Sequence, residues 1–254
     1  MTEHQRPEQH APGTAQGGPG VPALGRTATL VEDLLLLLFQ PGGSRAGGGG
    51  SIAGEPTLYW VLGGAVLADL ALGGHVRTST GRLGALQVEA VADRPPSDPL
   101  LRTTWAYVAE KPRCVQTALA ATGPALREPV LDRLVERGDL HRRSRKALGL
   151  FASSVLSLGD TGRRAALLAD VRAVLVDRAE LTERTAALAA LLHGSGTLPQ
   201  FDPEIPWTSP VIARAEELKD GSWGAGAAAK AVARTVTATI VNNVVVAAAV
   251  HPRG

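Results

Sequence analysis

The pattern of apolar positions changes period between residues 125 and 158. Leu126, Val130, Leu131, Leu134 and Val135 recur at helical spacing with charged residues behind them, which predicts an amphipathic helix. Gly138 follows Arg137 and predicts the helix end, because glycine adopts the left-handed conformation and a cation suits the carboxyl end of the helix dipole. Then come Asp139, Leu140 and His141, the basic run Arg142, Arg143, Ser144, Arg145 and Lys146, and an apolar segment from Ala147 to Leu158. That order predicts two strands around a basic tip. Positive charge beside an apolar strand suits an anionic surface, either lipid or nucleic acid.

The remaining pattern is mostly helical. Thr29-Leu30-Val31-Glu32 is a capping box, and the run that follows to Phe39 is apolar on all sides, which predicts a buried central helix. Residues 41–54 are too rich in glycine for a helix and predict a flexible loop; they lack the spacing of a phosphate cradle. A helix follows Pro56 and ends at Gly73-Gly74, and a small hairpin is expected from His75 to Ala92 with its turn at Thr80-Gly81. Asp98-Pro99 opens a helix to about Lys111, and a shorter one carries Val115, Leu119 and Ala120. Further helices are predicted from Arg163 to Asp177, from Thr182 to Gly194, from Pro210 to Leu218 and from Ala225 to Val250, with a proline-containing loop over 194–210. Residues 1–25, without periodicity, predict a disordered tail, and no linker divides residues 26–254. The fold class is therefore mainly α, as a single helical domain with a β-hairpin.

Composition narrows the chemistry. The 254 residues are 44% hydrophobic but only 4% aromatic, so the core is built from Leu, Ala and Val, which favours packed helices. A net charge of +2 gives no global field towards DNA or membrane, and any electrostatic contact has to be local. The one cysteine, Cys114, excludes an internal disulfide framework and a four-thiolate metal site and is expected to be a small core residue. The start of the chain lacks a signal-peptide pattern, and both apolar runs, near 30–39 and 235–250, are shorter than the roughly 20 residues a membrane span needs. The six histidines are scattered, no nucleophile motif occurs, and Glu32-Asp33 and Glu216-Glu217 read as helix-start or solvated charge. No catalytic group, metal or cofactor is expected. The chain reads as a binding module.

TLVEDLLLLLF, AVLADLALGGHV and LVERGDLHRRSRKALGLF, in that order before a string of helices, resemble the Golgi phosphoprotein 3 family. The resemblance covers about residues 26–250, and the Ala-, Gly-, Leu- and Arg-heavy composition is similar to that of a GC-rich bacterial member. It implies a mainly helical protein with a protruding β-hairpin that binds phosphatidylinositol 4-phosphate on the cytosolic face of a membrane. The family's lipid pocket combines a Trp, an early Arg and two Arg before the hairpin. Carried over residue by residue, Trp60 stands for the Trp after a loop deletion and Arg127 for the second of the later arginines. Gly63 and Pro124 occupy the other two arginine positions. Losing two of three guanidinium partners lowers affinity for a phosphomonoester by about a hundredfold or more.

Arg133, Arg142 and Arg143 are the candidate substitutes for those cations. Residues 127–146 hold seven Arg or Lys against four Asp or Glu, a local balance of +3, and each basic residue near an anionic bilayer contributes about 1 kcal/mol. By the same resemblance, Leu148, Leu150, Phe151 and Val155 are candidates for self-association through the hairpin, with packing on their own domain as the alternative. A protein client is a further candidate partner. The rival reading is a winged helix with Arg127, Arg133 and Arg137 on its recognition helix. Glu128, Asp132 and Glu136 interleave with them and would repel phosphates, so nucleic acid is not the expected partner. The expectation is a cytoplasmic, peripheral membrane protein that recognises an anionic lipid headgroup.

Overall fold

The computed structural model describes residues 27–42, 49–81, 86–147, 151–220 and 234–243, with the backbone alone at 145–147 and 151–153. Helix α1 (Leu30–Leu38) leads into a short pair, β1 (Phe39–Gln40) and β2 (Ser51–Ile52). Helix α2 (Leu58–Leu72), strands β3 (Val76–Thr80) and β4 (Leu86–Ala90), and helix α3 (Pro99–Ala109) follow. Strand β5 (Arg113–Cys114) precedes α4 (Val115–Thr122) and α5 (Arg127–Glu136), and β6 (Leu140–Ala147) and β7 (Phe151–Leu158) form the hairpin. Helices α6 (Arg163–Leu175), α7 (Glu183–Gly194), α8 (Ser209–Lys219) and α9 (residues 234–243) complete the described chain. The architecture is mainly α, with small antiparallel sheets.

Every residue of α1 is buried, as an all-round apolar helix requires. Its capping box is formed: the Thr29 amide and hydroxyl donate to Glu32 at 2.8 and 2.6 Å, and the Glu32 amide donates to Thr29 Oγ1 at 3.4 Å. Helices α2, α5, α6 and α7 pack around it, and Val236 and Ile240 of α9 close on Gly64 of α2. At the carboxyl end of α1, Arg164 donates to the carbonyls of Phe39 and Leu37 at 2.8 and 3.3 Å, satisfying oxygens that the helix leaves free. Among the described residues no helix is long and apolar enough to cross a membrane.

Gly138 ends α5 at φ +76°, and the Asp139 amide returns to the Leu134 carbonyl at 2.9 Å, as the glycine predicted. This tight exit aims β6 back along α5. The small hairpin gains a third strand, because β5 pairs with β4 through Gln87–Cys114 and Val88–Arg113. Three sequence expectations change. Within the 41–54 loop Ser51–Ile52 are ordered as β2, paired with β1 just before the loop, and the Gly50 amide bonds the Leu156 carbonyl of β7 at 2.8 Å. The basic run lies along β6 rather than at a tip, since pairing continues to Ala147–Phe151. Cys114 is half-buried at the start of α4, where its sulfur contacts Thr117 Oγ1 at 2.8 Å, and is not a core residue. The expected tail over 1–25 and the expected helix outside 234–243 lie beyond the described residues.

Candidate functional site

The first turn of α5 and the strand β6 that doubles back beside it bring Arg127 and Arg142 to one cleft of about 230 Å³. Gly49 and Gly50 wall it on one side, with Leu131, Ser154, Val155 and Leu156 completing the lining. A Cβ on Gly49 would collide with Val155, so glycine is what lets this segment lie against β7. Glu128 bridges the two cations: its Oε1 accepts from Arg127 Nη1 and its Oε2 accepts from Arg142 Nη2 at 3.3 Å. Each arginine has a second carboxylate. Arg127 Nε donates to Glu55 at 3.0 Å, and Arg142 Nη1 donates to Asp132 at 2.7 Å. The cleft is polar, open and held by ion pairs that water reaches, and the carboxylate acceptors on its arginines can be exchanged for those of another anion.

Other predicted residues separate from this pair. Arg133 leaves the cleft and forks onto Asp98 at 2.9 and 3.1 Å, so it anchors α5 to the start of α3. Arg137 turns to Glu32 at 3.1 Å; two cations of the supposed recognition helix thus point inward. Arg143 stands on the hairpin face opposite Arg142, exposed and without an ion-pair partner among the described residues. Trp60 is partly buried against the core beside Tyr59 and does not line the cleft. Val155 is half-buried and packs towards Gly49 of its own chain. Leu148 and Leu150 lie outside the described residues, and Phe151 is placed by its backbone alone.

Gly63, where the sequence resemblance would have an arginine, is closely packed. A Cβ there would sit 3.1 Å from the Leu119 side chain and 3.5 Å from the Gly123 backbone, and one on Gly123 would strike the Tyr59 carbonyl. Helix α2 and the α4 end therefore meet where a guanidinium would have to stand. Pro124 lies in the single 3₁₀ turn, Gly123–Ala125, that links α4 to α5.

A second charged region escaped the sequence reading. Glu32 and Asp33, taken as helix-start charge, are buried. Asp33 accepts from Arg163 and from Arg184, whose Nε lies 2.8 Å away, and Arg163 also pairs with buried Asp139, which Thr161 Oγ1 contacts at 2.6 Å. Burial works against the Arg163 charge, but the two carboxylates outweigh it and hold its pKa above the ordinary value. The signal was legible: two acids inside a helix that is otherwise apolar on every side have no route to water and require partners. Beside this layer is a cavity of about 430 Å³ lined by Asp69, Asp98 and Arg184 among others. Burial pushes the Asp69 carboxyl up, against the Leu30 amide at 2.7 Å and Arg184, with Asp33 and Asp98 adding to the rise. Among the described residues no group of three His, Cys, Asp or Glu is gathered that could hold a metal.

Residues 30–235 match the sequence model of a protein family described as Golgi phosphoprotein 3 (GPP34). No curated protein matches the chain in sequence.

Proposed function

Because this chain belongs to the Golgi phosphoprotein 3 family, we propose that it is a peripheral membrane-binding module that recognises an anionic lipid headgroup in the cleft between α5 and the hairpin. The observation that carries this reading is the convergence of Arg127 and Arg142, from a helix and a strand, on one open cleft. Guanidinium groups match phosphate oxygens two at a time, so two of them converging on one cleft suit a phosphomonoester. Exposed Arg143 adds attraction to an anionic bilayer of about 1 kcal/mol without entering the cleft. The ligand that the family implies, phosphatidylinositol 4-phosphate, is the first to test. With packed backbone at Gly63 and Arg133 committed to Asp98, Arg127 is retained from the family pattern and Arg142 takes the part of the missing cations.

Vesicle co-sedimentation at physiological salt tests this. Neutral vesicles, vesicles containing phosphatidylinositol and vesicles containing its 4-phosphate at matched total charge are compared for the parent protein, Arg127→Ala and Arg142→Ala. Each substitution is expected to lower affinity for the phosphorylated lipid by about tenfold. Equal binding by all three proteins would move recognition away from the cleft, and no binding to any vesicle would remove the membrane reading.

A further inference from the structure

We infer that the cavity of about 430 Å³ beside Asp69 is a binding site for a small primary amine, whose ammonium group sits on the Asp69 carboxylate. It shares no lining residue with the cleft between α5 and the hairpin, so the inference stands apart from the headgroup reading. The charge around it is one cation short. Arg163 holds both Asp33 and Asp139, and Arg184 gives Asp33 a second guanidinium, its Nε 2.8 Å away. Asp69 has the Leu30 amide at 2.7 Å, but Arg184 Nη1 comes no nearer than 3.5 Å. Among the described residues these three acids thus share two guanidiniums, and Asp69 is the one held least closely. A buried carboxylate in that position is relieved either by a proton or by a cation brought to it.

The cavity admits the second remedy. Its volume falls in the range of small-molecule sites, which combine apolar walls with a few converging polar groups. The Asp69 side chain lines it and is 14% exposed, so an ion from solvent reaches the carboxylate. Thr27 and Ser97 stand on the same walls. An ammonium has three N–H donors, and one carboxylate with two hydroxyls matches that number. Pro99 and Leu101 supply carbon surface for the body of the ligand, which a bare metal ion would leave unused. The charged groups that face Asp69 are Arg184 of α7, Asp33 of α1 and Asp98 at the cap of α3, and of these only Arg184 favours the ionised carboxylate. Burial holds the Asp69 pKa above its ordinary value, so below that raised value the amine competes with a proton and binding weakens. An ethanolamine headgroup on a lipid and a free amine present the same ammonium, and experiment separates them.

The test is titration calorimetry of the full chain at neutral pH, in a buffer without a primary amine, with ethanolamine, butylamine and putrescine as probes. Choline, a cation without N–H donors, and potassium are the controls. The parent is expected to bind at least one amine, and Asp69→Asn to weaken that binding about tenfold or more. Thermal melting checks that the variant is folded. Asn keeps an acceptor for the Leu30 amide; should it still fail to fold, Ser97→Phe, which fills the cavity from an exposed position, is expected to give the same loss. In the parent, affinity is expected to fall by about tenfold for each pH unit below the raised pKa of Asp69. No binding of any of the three amines overturns the inference, as does equal binding by the parent and the folded variants, or binding of choline as tight as that of the amine. Vesicles of phosphatidylcholine with and without phosphatidylethanolamine are the last arm. Selective binding to the second lipid that Asp69→Asn loses assigns the ammonium to a headgroup, and equal binding to both vesicles, with the calorimetric result intact, assigns it to a free amine. Failure here leaves the headgroup reading untouched, since that reading is decided by Arg127→Ala and Arg142→Ala on phosphoinositide vesicles.

Discussion

Two clusters of arginine and carboxylate lie within a few turns of each other, and burial gives them opposite roles. Around the start of α1, the side chains of Glu32, Asp33 and Asp139 are 0%, 5% and 2% exposed and meet Arg137, Arg163 and Arg184. In the cleft, Glu55, Glu128 and Asp132 are 53%, 60% and 53% exposed and meet Arg127 and Arg142. The residue types are the same. In the interior an ion has no solvent to return to, so removing one partner strands the other and the pairing is permanent. At the surface water replaces either partner at little cost, so the pairing can be traded for a ligand. An arginine near a candidate site is thus a recognition group only if its present partner can be given up.

The largest effect should come from breaking the interior cluster. Asp33→Ala leaves Arg163 and Arg184 without their shared carboxylate and is expected to lower unfolding free energy by about 3–5 kcal/mol, read by chemical denaturation. Gly63→Arg tests whether the arginine that the family pattern has at this position could simply be restored. The side chain has to grow towards Leu119 and Gly123, so a loss of about 1–3 kcal/mol is expected, and no gain in vesicle binding. If that variant folds normally and binds better, the packing explanation for Gly63 fails. Arg142→Ala removes only exposed pairs, so its unfolding free energy should stay within about 1 kcal/mol of the parent even though headgroup binding weakens. A stability loss as large as that of Asp33→Ala would abolish the distinction between the two clusters.

The smallest effect is a pH dependence at the edge of the interior cluster. Burial places the folded pKa of Asp69 above its ordinary value of 3.8, so the folded state holds this proton more tightly than the unfolded chain. The contribution of Asp69 to stability is complete below pH 3.8 and is lost as pH rises through the raised value. Asp69→Asn removes that loss. The melting temperature of the variant relative to the parent should be most favourable near neutral pH and should fall back as pH approaches 3.8. A difference that does not change with pH would mean that burial of this carboxyl carries no proton preference.

Much of the architecture was legible because its causes are local. The capping box at Thr29 and Glu32, the Asp98-Pro99 start of α3, the Gly138 stop and the change of period that follows it each act within a few residues, so reading the chain in order finds them. The candidate site was legible only in part. Arg127 and Arg142 were both marked as cations, but so were Arg133 and Arg143, and charge in a sequence carries no record of direction. Short-range alternation could have separated Arg142 from Arg143; nothing local could have sent Arg133 to Asp98, thirty-five residues earlier. Glu32 and Asp33 do stand in the first turn of α1, but a helix-start position carries no information on what surrounds α1 and so none on their burial.

By itself, then, the sequence determined the helices, their ends, the hairpin and the family, since hydrophobic period, caps and turn residues are short-range terms that survive without knowledge of neighbours. Tertiary structure alone decided which charges are interior and which face the cleft, and it filled the space at Gly63 with packed backbone. Burial and pairing are set by groups far apart in the chain, and the free energy of an ion depends on the solvent that those distant groups leave around it.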